Sequence, residues 1–203
     1  MTRLVLFNGP PGCGKDTIVR GLTQYLKFSH LKFAAPIKRM ACGLLDCDMS
    51  WLEANKDTFI IPFGYKHDIT LRQFLIELSE KFFKPLYGDN VFGNLLWNEV
   101  KRAPNKLVLV SDCGFHSEVH RVVGNAGKAN CLIVRIHRSG HNFVGDSRSY
   151  LEDGICKTVD VYNTHTSHWL TIASLRVIMN SYKGIEKEFL KEPEWLRDIP
   201  SAQ

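Results

Sequence analysis

The 203-residue sequence predicts an α/β fold: a mostly parallel five-stranded sheet covered by helices on both faces. Three observations carry that expectation. Short apolar runs recur along the chain, helical patterns long enough to act as crossover connections lie between them, and the first run ends in a glycine-rich turn that opens a helix. A chain of this length buries roughly 70% of its unfolded surface as one domain and is too short for two ordinary ones. Its 44% hydrophobic and 23% charged residues are typical of a globular protein, and no stretch approaches the roughly 18 apolar residues of a membrane span.

The first strand is read at Leu4 to Phe7, and a helical pattern follows from Ile18-Val19-Arg20. A weaker strand signal lies near Leu31 to Ala34. Three more are expected at Leu107 to Val110, Cys131 to Ile136 and Val159 to Tyr162, each a short apolar run rich in β-branched residues. About 36–103 reads as largely helical. Ser50 before Trp51-Leu52-Glu53 and Thr70 before Leu71-Arg72-Gln73 each have the form of a capping box, in which a hydroxyl and a carboxyl or amide three residues on satisfy the first turn. In the second of these helices Leu71, Phe74, Leu75 and Leu78 share one face and leave Arg72 off it. Over about 139–157 the composition changes to Gly140, Asn142, Gly145, Asp146, Ser147, Arg148 and Ser149. Flanked by Arg135, His137 and Arg138, this stretch is expected to be an exposed, mobile lid. An amphipathic helix at about Ser167 to Tyr182 follows, then a charged Lys183 to Glu194 stretch read as packing and a solvated face. The expected division is a single domain over 1–203. Its core covers about 1–35, 104–138 and 157–203, with a helical region at 36–103 and a lid at 139–156.

The turn after the first strand is Gly9-Pro10-Pro11-Gly12-Cys13-Gly14-Lys15-Asp16-Thr17. A buried strand, a glycine-rich loop whose N–H groups can face inward, and a helix N-terminus together favour an anion, so this is read as a phosphate-binding loop. Lys15 supplies a mobile charge for the β- and γ-phosphates of a nucleotide. Asp16 stands where the motif calls for a Ser or Thr that binds Mg²⁺, and its carboxylate is itself a hard oxygen donor. Ser111-Asp112 closes the strand at Leu107 to Val110, which puts Asp112 at the carboxyl edge of the sheet, where ligands bind in open α/β folds. There it holds Mg²⁺ through water, orients an acceptor, or caps the following helix. Cys113 occupies the position at which a water-activating ATPase carries Glu.

Other classes find less support. The net charge of +5 is spread along the chain without a dense basic tract, which favours a cleft for phosphates over a nucleic-acid surface. The six cysteines form no Cys-x-x-Cys pair, so neither a zinc site nor a disulfide framework is suggested; Cys13 and Cys113 adjoin candidate phosphate-site residues. His116 and His120 lie four apart on an expected helix with no evident third ligand, and read as a surface pair before a metal site. Asn55-Lys56-Asp57 has the wrong spacing for the guanine-reading signature of GTPases. The N-terminus enters the first strand directly, leaving no room for a signal peptide, so a cytoplasmic protein is expected.

Several of these segments occur together in a known family. The Gly-Lys-Asp-Thr end of the loop, Phe33-Ala34-Ala35-Pro36-Ile37-Lys38, the Thr70-Leu71-Arg72 helix start, Ser111-Asp112 with Phe115 and Glu118, and Asn163 follow one another over about 3–180. In this the chain resembles bacteriophage deoxynucleoside monophosphate kinases, related in fold to adenylate kinase and dephospho-coenzyme A kinase. The resemblance implies a three-layer P-loop NTPase fold, a monophosphate-binding helical region and a lid. It implies transfer of the γ-phosphoryl group of ATP to a deoxynucleoside monophosphate with Mg²⁺, in a host cytoplasm if the source is viral. It carries over Gly9, Gly12, Gly14, Lys15, Asp16, Thr17, Lys38, Arg72, Asp112 and Asn163, with Cys13 inside the loop. Arg72, then Lys38, would grip the acceptor phosphate, Arg138 and Arg148 would close from the lid, and Asn163 would lie near adenine or cap the last helix. Three positions depart from the family pattern: Ala35 replaces a frequent Asp, Gly114 a frequent Arg, and Arg148 stands about where His is common. Expected partners are the small-molecule substrate alone, with no stable nucleic-acid partner and no membrane, and a homodimer is left open. Two rival readings remain: a kinase for another phosphorylated acceptor, of dephospho-coenzyme A or phosphomevalonate type, and a nucleotide-dependent ATPase or switch module.

Overall fold

In the computed structural model, residues 1–60, 68–164 and 167–182 are described. Strands β1 (Arg3–Asn8), β2 (Ser29–Leu31), β3 (Leu107–Cys113), β4 (Cys131–His137) and β5 (Lys157–Tyr162) form one sheet in the order β2-β3-β1-β4-β5, with every neighbouring pair parallel. Helix α1 (Lys15–Leu22) follows β1, and α2 (Ala35–Leu45), α3 (Met49–Asn55), α4 (Leu71–Glu77), α5 (Lys84–Tyr87) and α6 (Val91–Arg102) lie between β2 and β3. Helix α7 (His116–Ala126) links β3 to β4, and α8 (Ser167–Ser181) follows β5. This is the α/β fold expected of a P-loop protein, a parallel sheet between two helical layers.

The period of two along β1 builds both layers at once. Val5 and Phe7 turn to one face and pack with Ile18 and Leu22 of α1 and Leu170 and Leu175 of α8. Leu4 and Leu6 turn to the other and meet Leu96 and Val100 of α6 and Val119 and Val122 of α7. Because β1 is central and buried on both faces, its sequence reads as an unbroken apolar run. The helical region has a small core of its own, with Ala41, Leu52, Ile69, Leu71 and Phe74 buried together. Arg72 lies off that apolar face, as its spacing predicts.

Four local expectations are corrected. The weak strand near Leu31 to Ala34 is instead Ser29–Leu31. It stops there because the Asp112 carboxylate takes the N–H groups of Phe33 and Ala34, at 2.9 and 3.0 Å, and turns the chain into α2, where Pro36 sits in the first turn. Asp112 therefore caps the entry to α2 and not the helix that follows its own strand. The cap of α3 is Asp48, whose carboxylate accepts the Trp51 N–H at 2.7 Å, and Ser50 lies inside the helix. The Thr70 capping box does form, with both reciprocal bonds present. Beyond α4 the helix widens to a π-turn at Leu78–Phe83, for which the apolar spacing gave no sign. The segment expected as an exposed lid is anchored in its second half: Leu151, Ile155 and Cys156 are buried in the core with residues of α7 and β4, while Glu152, Asp153 and Gly154 between them stay exposed. Lys183 to Glu194 lie outside the described residues.

Candidate active site

The loop between β1 and α1 owes its shape to glycine. Gly12 and Gly14 have φ of 73° and 111°, a left-handed conformation that costs an L-residue with a side chain roughly 1–2 kcal/mol. Helix α1 then begins at Lys15, so the N–H groups of its first turn, Asp16 and Thr17 included, have no partner within the helix and face the loop. Cys13 is fully buried beneath it. The Lys15 side chain arches back across the loop, donating to the carbonyls of Gly9 and Pro10 at 2.6 and 2.7 Å and lying 3.5 Å from the Cys13 Sγ.

Asp16 anchors a polar chain that the sequence did not announce. Its Oδ1 accepts from the Ser111 hydroxyl at 2.9 Å and from the Lys32 ammonium at 2.9 Å, and His30 Nε2 lies 2.9 Å from the Ser111 oxygen. Since the one Ser111 proton goes to Asp16, the imidazole donates to Ser111. Burial opposes the charge on Asp16, yet Lys32 and Ser111 together hold its carboxyl below the usual range. Burial and the nearby Lys32 charge push His30 down, which favours the neutral ring. A cavity of about 670 Å³ opens beside this chain. Asp16, Lys32 and His30 form one wall; Phe28 and Met49 give apolar surface, and Lys38 lies among the lining residues. Lys38 pairs with Glu53, which also takes Lys56 at 2.8 Å; despite burial, these two lysines bring the Glu53 carboxyl down to about 2.

The arginines approach from two other segments. Arg138 donates to the Gly12 carbonyl at 2.8 Å and so lies over the loop. Arg148 makes a two-bond pair with Asp146, at 2.9 and 2.5 Å, and its charge is felt by Asp112 and Cys13. Gly114 makes that possible. A Cβ there would stand 2.6 Å from Cβ, Cγ and Cδ of Arg148, so the aliphatic stem passes where any other residue would block it. Two distant positions thus meet in space: the strand edge carries no side chain, and the 139–156 segment supplies a guanidinium over it. Arg72 makes its own two-bond pair with Asp57, and its charge is coupled to Arg148 and Asp146. Asn163 donates to the Cys13 carbonyl at 2.9 Å, which makes it a support of the loop.

The structure thus gathers Lys15, Asp16, Asp112, Arg138, Arg148 and Asn163 around the loop, brings Arg72 toward the lid, and sets Lys38 in the adjoining cavity. Spacing alone missed Lys32 and His30, which meet Asp16 only because β2 pairs with β3. It also missed Asn8, fully buried, which donates to the carbonyls of Cys113 and Ser149 and accepts the Leu151 N–H, tying the lid's second half to β1 and β3. A polar residue closing a buried apolar strand was its one sequence signal. His116, the first of the histidine pair, accepts the Glu152 N–H at 3.3 Å. Among the described residues no group of three or more His, Cys, Asp or Glu side chains could hold a metal ion. None of their helices is long and apolar enough to cross a membrane.

No family model matches the sequence, and no curated protein matches it. Among solved structures, the fold is similar to a sugar kinase from Janibacter sp. HTCC2649, at 9% identity and a TM-score of 0.45, covering 88% of this chain and 95% of that one. It is also similar to the Deinococcus radiodurans tunicamycin resistance protein, at 10% identity and a TM-score of 0.44, covering 88% and 96%. Strand order and the geometry of the loop carry the assignment to the P-loop fold class.

Proposed function

We propose that the chain is an ATP-dependent kinase that transfers the γ-phosphoryl group to the phosphate of a deoxynucleoside monophosphate, giving a diphosphate and ADP. The observation that carries this reading is the cavity beside Asp16. A phosphate-binding loop alone provides for one nucleotide; a second space beside the loop's own carboxylate, walled by apolar residues and by lysines and arginines paired with Asp16, Glu53 and Glu99, provides for an acceptor whose phosphate would compete for those cations.

Lys15 and the loop amides hold the donor phosphates, with Thr17 at the α-phosphate and Asn163 keeping the loop in shape. Such transfer depends on positioning and charge neutralisation, and the acceptor phosphate is already an anion, so no catalytic base is required. Arg148 and Arg138 close from the lid and exclude water. Arg72 and Lys38 are the acceptor-side cations in this reading. Asp16 and Asp112 fit Mg²⁺, which takes one or two carboxylates and completes its shell with water and phosphate oxygens. Asp16 is half exposed and ionised, while both Asp112 oxygens already accept N–H bonds, which suits Asp112 to a contact through water. When bound, the ion neutralises charge on the donor phosphates.

The test is a coupled ADP-release assay with ribo- and deoxynucleoside monophosphates, dephospho-coenzyme A and phosphomevalonate. Stimulation by deoxynucleoside monophosphates above the ATP-only background is expected. Release that no acceptor raises would eliminate the kinase reading, and stimulation by another acceptor alone would reassign the substrate.

A further inference from the structure

Lys32 has a place in the molecule that the reading above does not use. It stands at the C-terminal end of the edge strand β2, lines the cavity, and reaches Asp16 Oδ1 at 2.9 Å. The other cations near the site are committed differently. Arg148 and Arg72 each make two bonds to an aspartate, Lys38 shares Glu53 with Lys56, and Lys15 lies on loop carbonyls. Lys32 alone among them bridges the carboxylate of the phosphate loop to the cavity wall.

Its partner is also the carboxylate best placed to take a divalent cation. Asp112 cannot replace Asp16 there, because its two oxygens accept the N–H groups of Phe33 and Ala34. On Asp16 the Oδ1 is shared between Lys32 and Ser111, and Ser111 is fixed in turn by His30. An ammonium 2.9 Å from one carboxylate oxygen lies within several ångströms of any ion bound to that group, and repulsion over such a distance at a partly buried site is strong.

We propose that Lys32 is a resident counter-ion of Asp16 which yields that carboxylate to the divalent cation and then serves the acceptor phosphate from the cavity wall. The inference rests on the monophosphate-kinase reading. It gives one residue two linked tasks. Without nucleotide, Lys32 keeps Asp16 neutralised and the metal weakly held. Once the donor phosphates bring the ion in, the ammonium is released toward a cavity it already lines, where a phosphate dianion is its natural partner. Three N–H donors on a flexible stem allow that exchange without movement of the backbone.

The experiment measures binding of Mn²⁺ alone to the nucleotide-free protein, by electron paramagnetic resonance of the free ion, in wild type and in Lys32→Met, Lys32→Arg and Lys32→Met with Asp16→Asn. Lys32→Met is expected to bind Mn²⁺ on the order of tenfold more tightly. Lys32→Arg keeps the charge and should stay near wild type, and adding Asp16→Asn should abolish the gain. In steady-state kinetics Lys32→Met should raise the acceptor KM on the order of tenfold and leave the ATP KM nearly unchanged, with partial recovery in Lys32→Arg. Equal Mn²⁺ affinity in wild type and Lys32→Met overturns the inference, even where wild type turns over monophosphates. An unchanged acceptor KM overturns the second task. Should Lys32→Met fail to give a cooperative melt, Lys32→Gln is measured in its place against the same thresholds. Absence of any monophosphate turnover in wild type sinks the kinase reading itself, which separates the two failures.

Discussion

The loop side and the lid side of the site are built by different means. On the loop side the backbone sets the geometry: glycines with positive φ, a helix start, and a lysine lying on main-chain carbonyls. On the lid side two guanidinium groups are held by carboxylates, Arg148 by Asp146 and Arg72 by Asp57, while Arg138 reaches the loop itself through the Gly12 carbonyl. Backbone geometry is fixed before a ligand arrives. Ion pairs can be exchanged, because an incoming phosphate offers a guanidinium the same two-bond geometry that the aspartate does. In the proposed reaction the loop would define where phosphate binds, and the lid side would govern when Arg148 and Arg72 become available to it.

Removing a charge from the loop side gives the largest expected effect. Lys15→Met should lower phosphoryl transfer on the order of a hundredfold or more, as the loss of a strong transition-state donor does; turnover near wild type would exclude Lys15 from the reaction. Second comes Gly114→Ala, which leaves every charge in place and adds one methyl group 2.6 Å from three carbons of Arg148. The arginine must move off the strand edge, and a fall in kcat on the order of tenfold is expected with little change in ATP affinity. If Gly114→Ala matches wild type in kcat while Arg148→Ala does not, the arginine acts from another position.

How legible each side was in the sequence follows from the same contrast. Gly12, Gly14 and Lys15 fall within four consecutive residues, so the motif is the structure, and the alternation of Leu4, Val5, Leu6 and Phe7 already holds both core layers. The passage of Arg148 over Gly114 joins residues 34 apart, and the Lys32 to Asp16 pair depends on strand order. No local pattern records either. Asp112 shows the limit more sharply. Its position at the sheet edge was readable, but its two N–H partners, Phe33 and Ala34, lie in the turn between β2 and α2, and they recast it as a cap at the entry to α2 before anything else.

The exchangeability of the lid-side pairs is tested by releasing one arginine without deleting it. Arg72→Ala should raise the acceptor KM on the order of tenfold and spare ATP. Asp57→Asn removes the competing carboxylate and leaves the guanidinium, so the acceptor KM should fall by about twofold to threefold. A rise in KM for Asp57→Asn would mean that the aspartate orients Arg72 productively, making the pair a fixed support like the loop.

The smallest effect concerns a carboxyl behind the lid side. Glu118, in the first turn of α7, is almost fully buried. Burial raises it to about 8, with Asp112 and Glu80 adding to the rise and Lys84 and Arg148 opposing it. Lys84 is itself buried, bonded to Glu80 at 2.6 Å and 3.9 Å from the centre of the Phe115 ring. The Glu118 pKa lies above that of an unfolded chain, so between those values the folded state binds the additional proton. Stability must then fall as pH rises through that interval and level off above about 8. Glu118→Gln keeps the shape and removes the titration. Its stability should be flatter with pH and exceed that of wild type by about 1 kcal/mol at pH ~9, roughly 2–4 °C in Tm, with the two converging near pH ~5. Parallel melting curves across that range would show that the buried carboxyl stays ionised, stabilised by Lys84 and Arg148. The lid side would then be a permanently charged network, as fixed in its electrostatics as the loop is in its backbone.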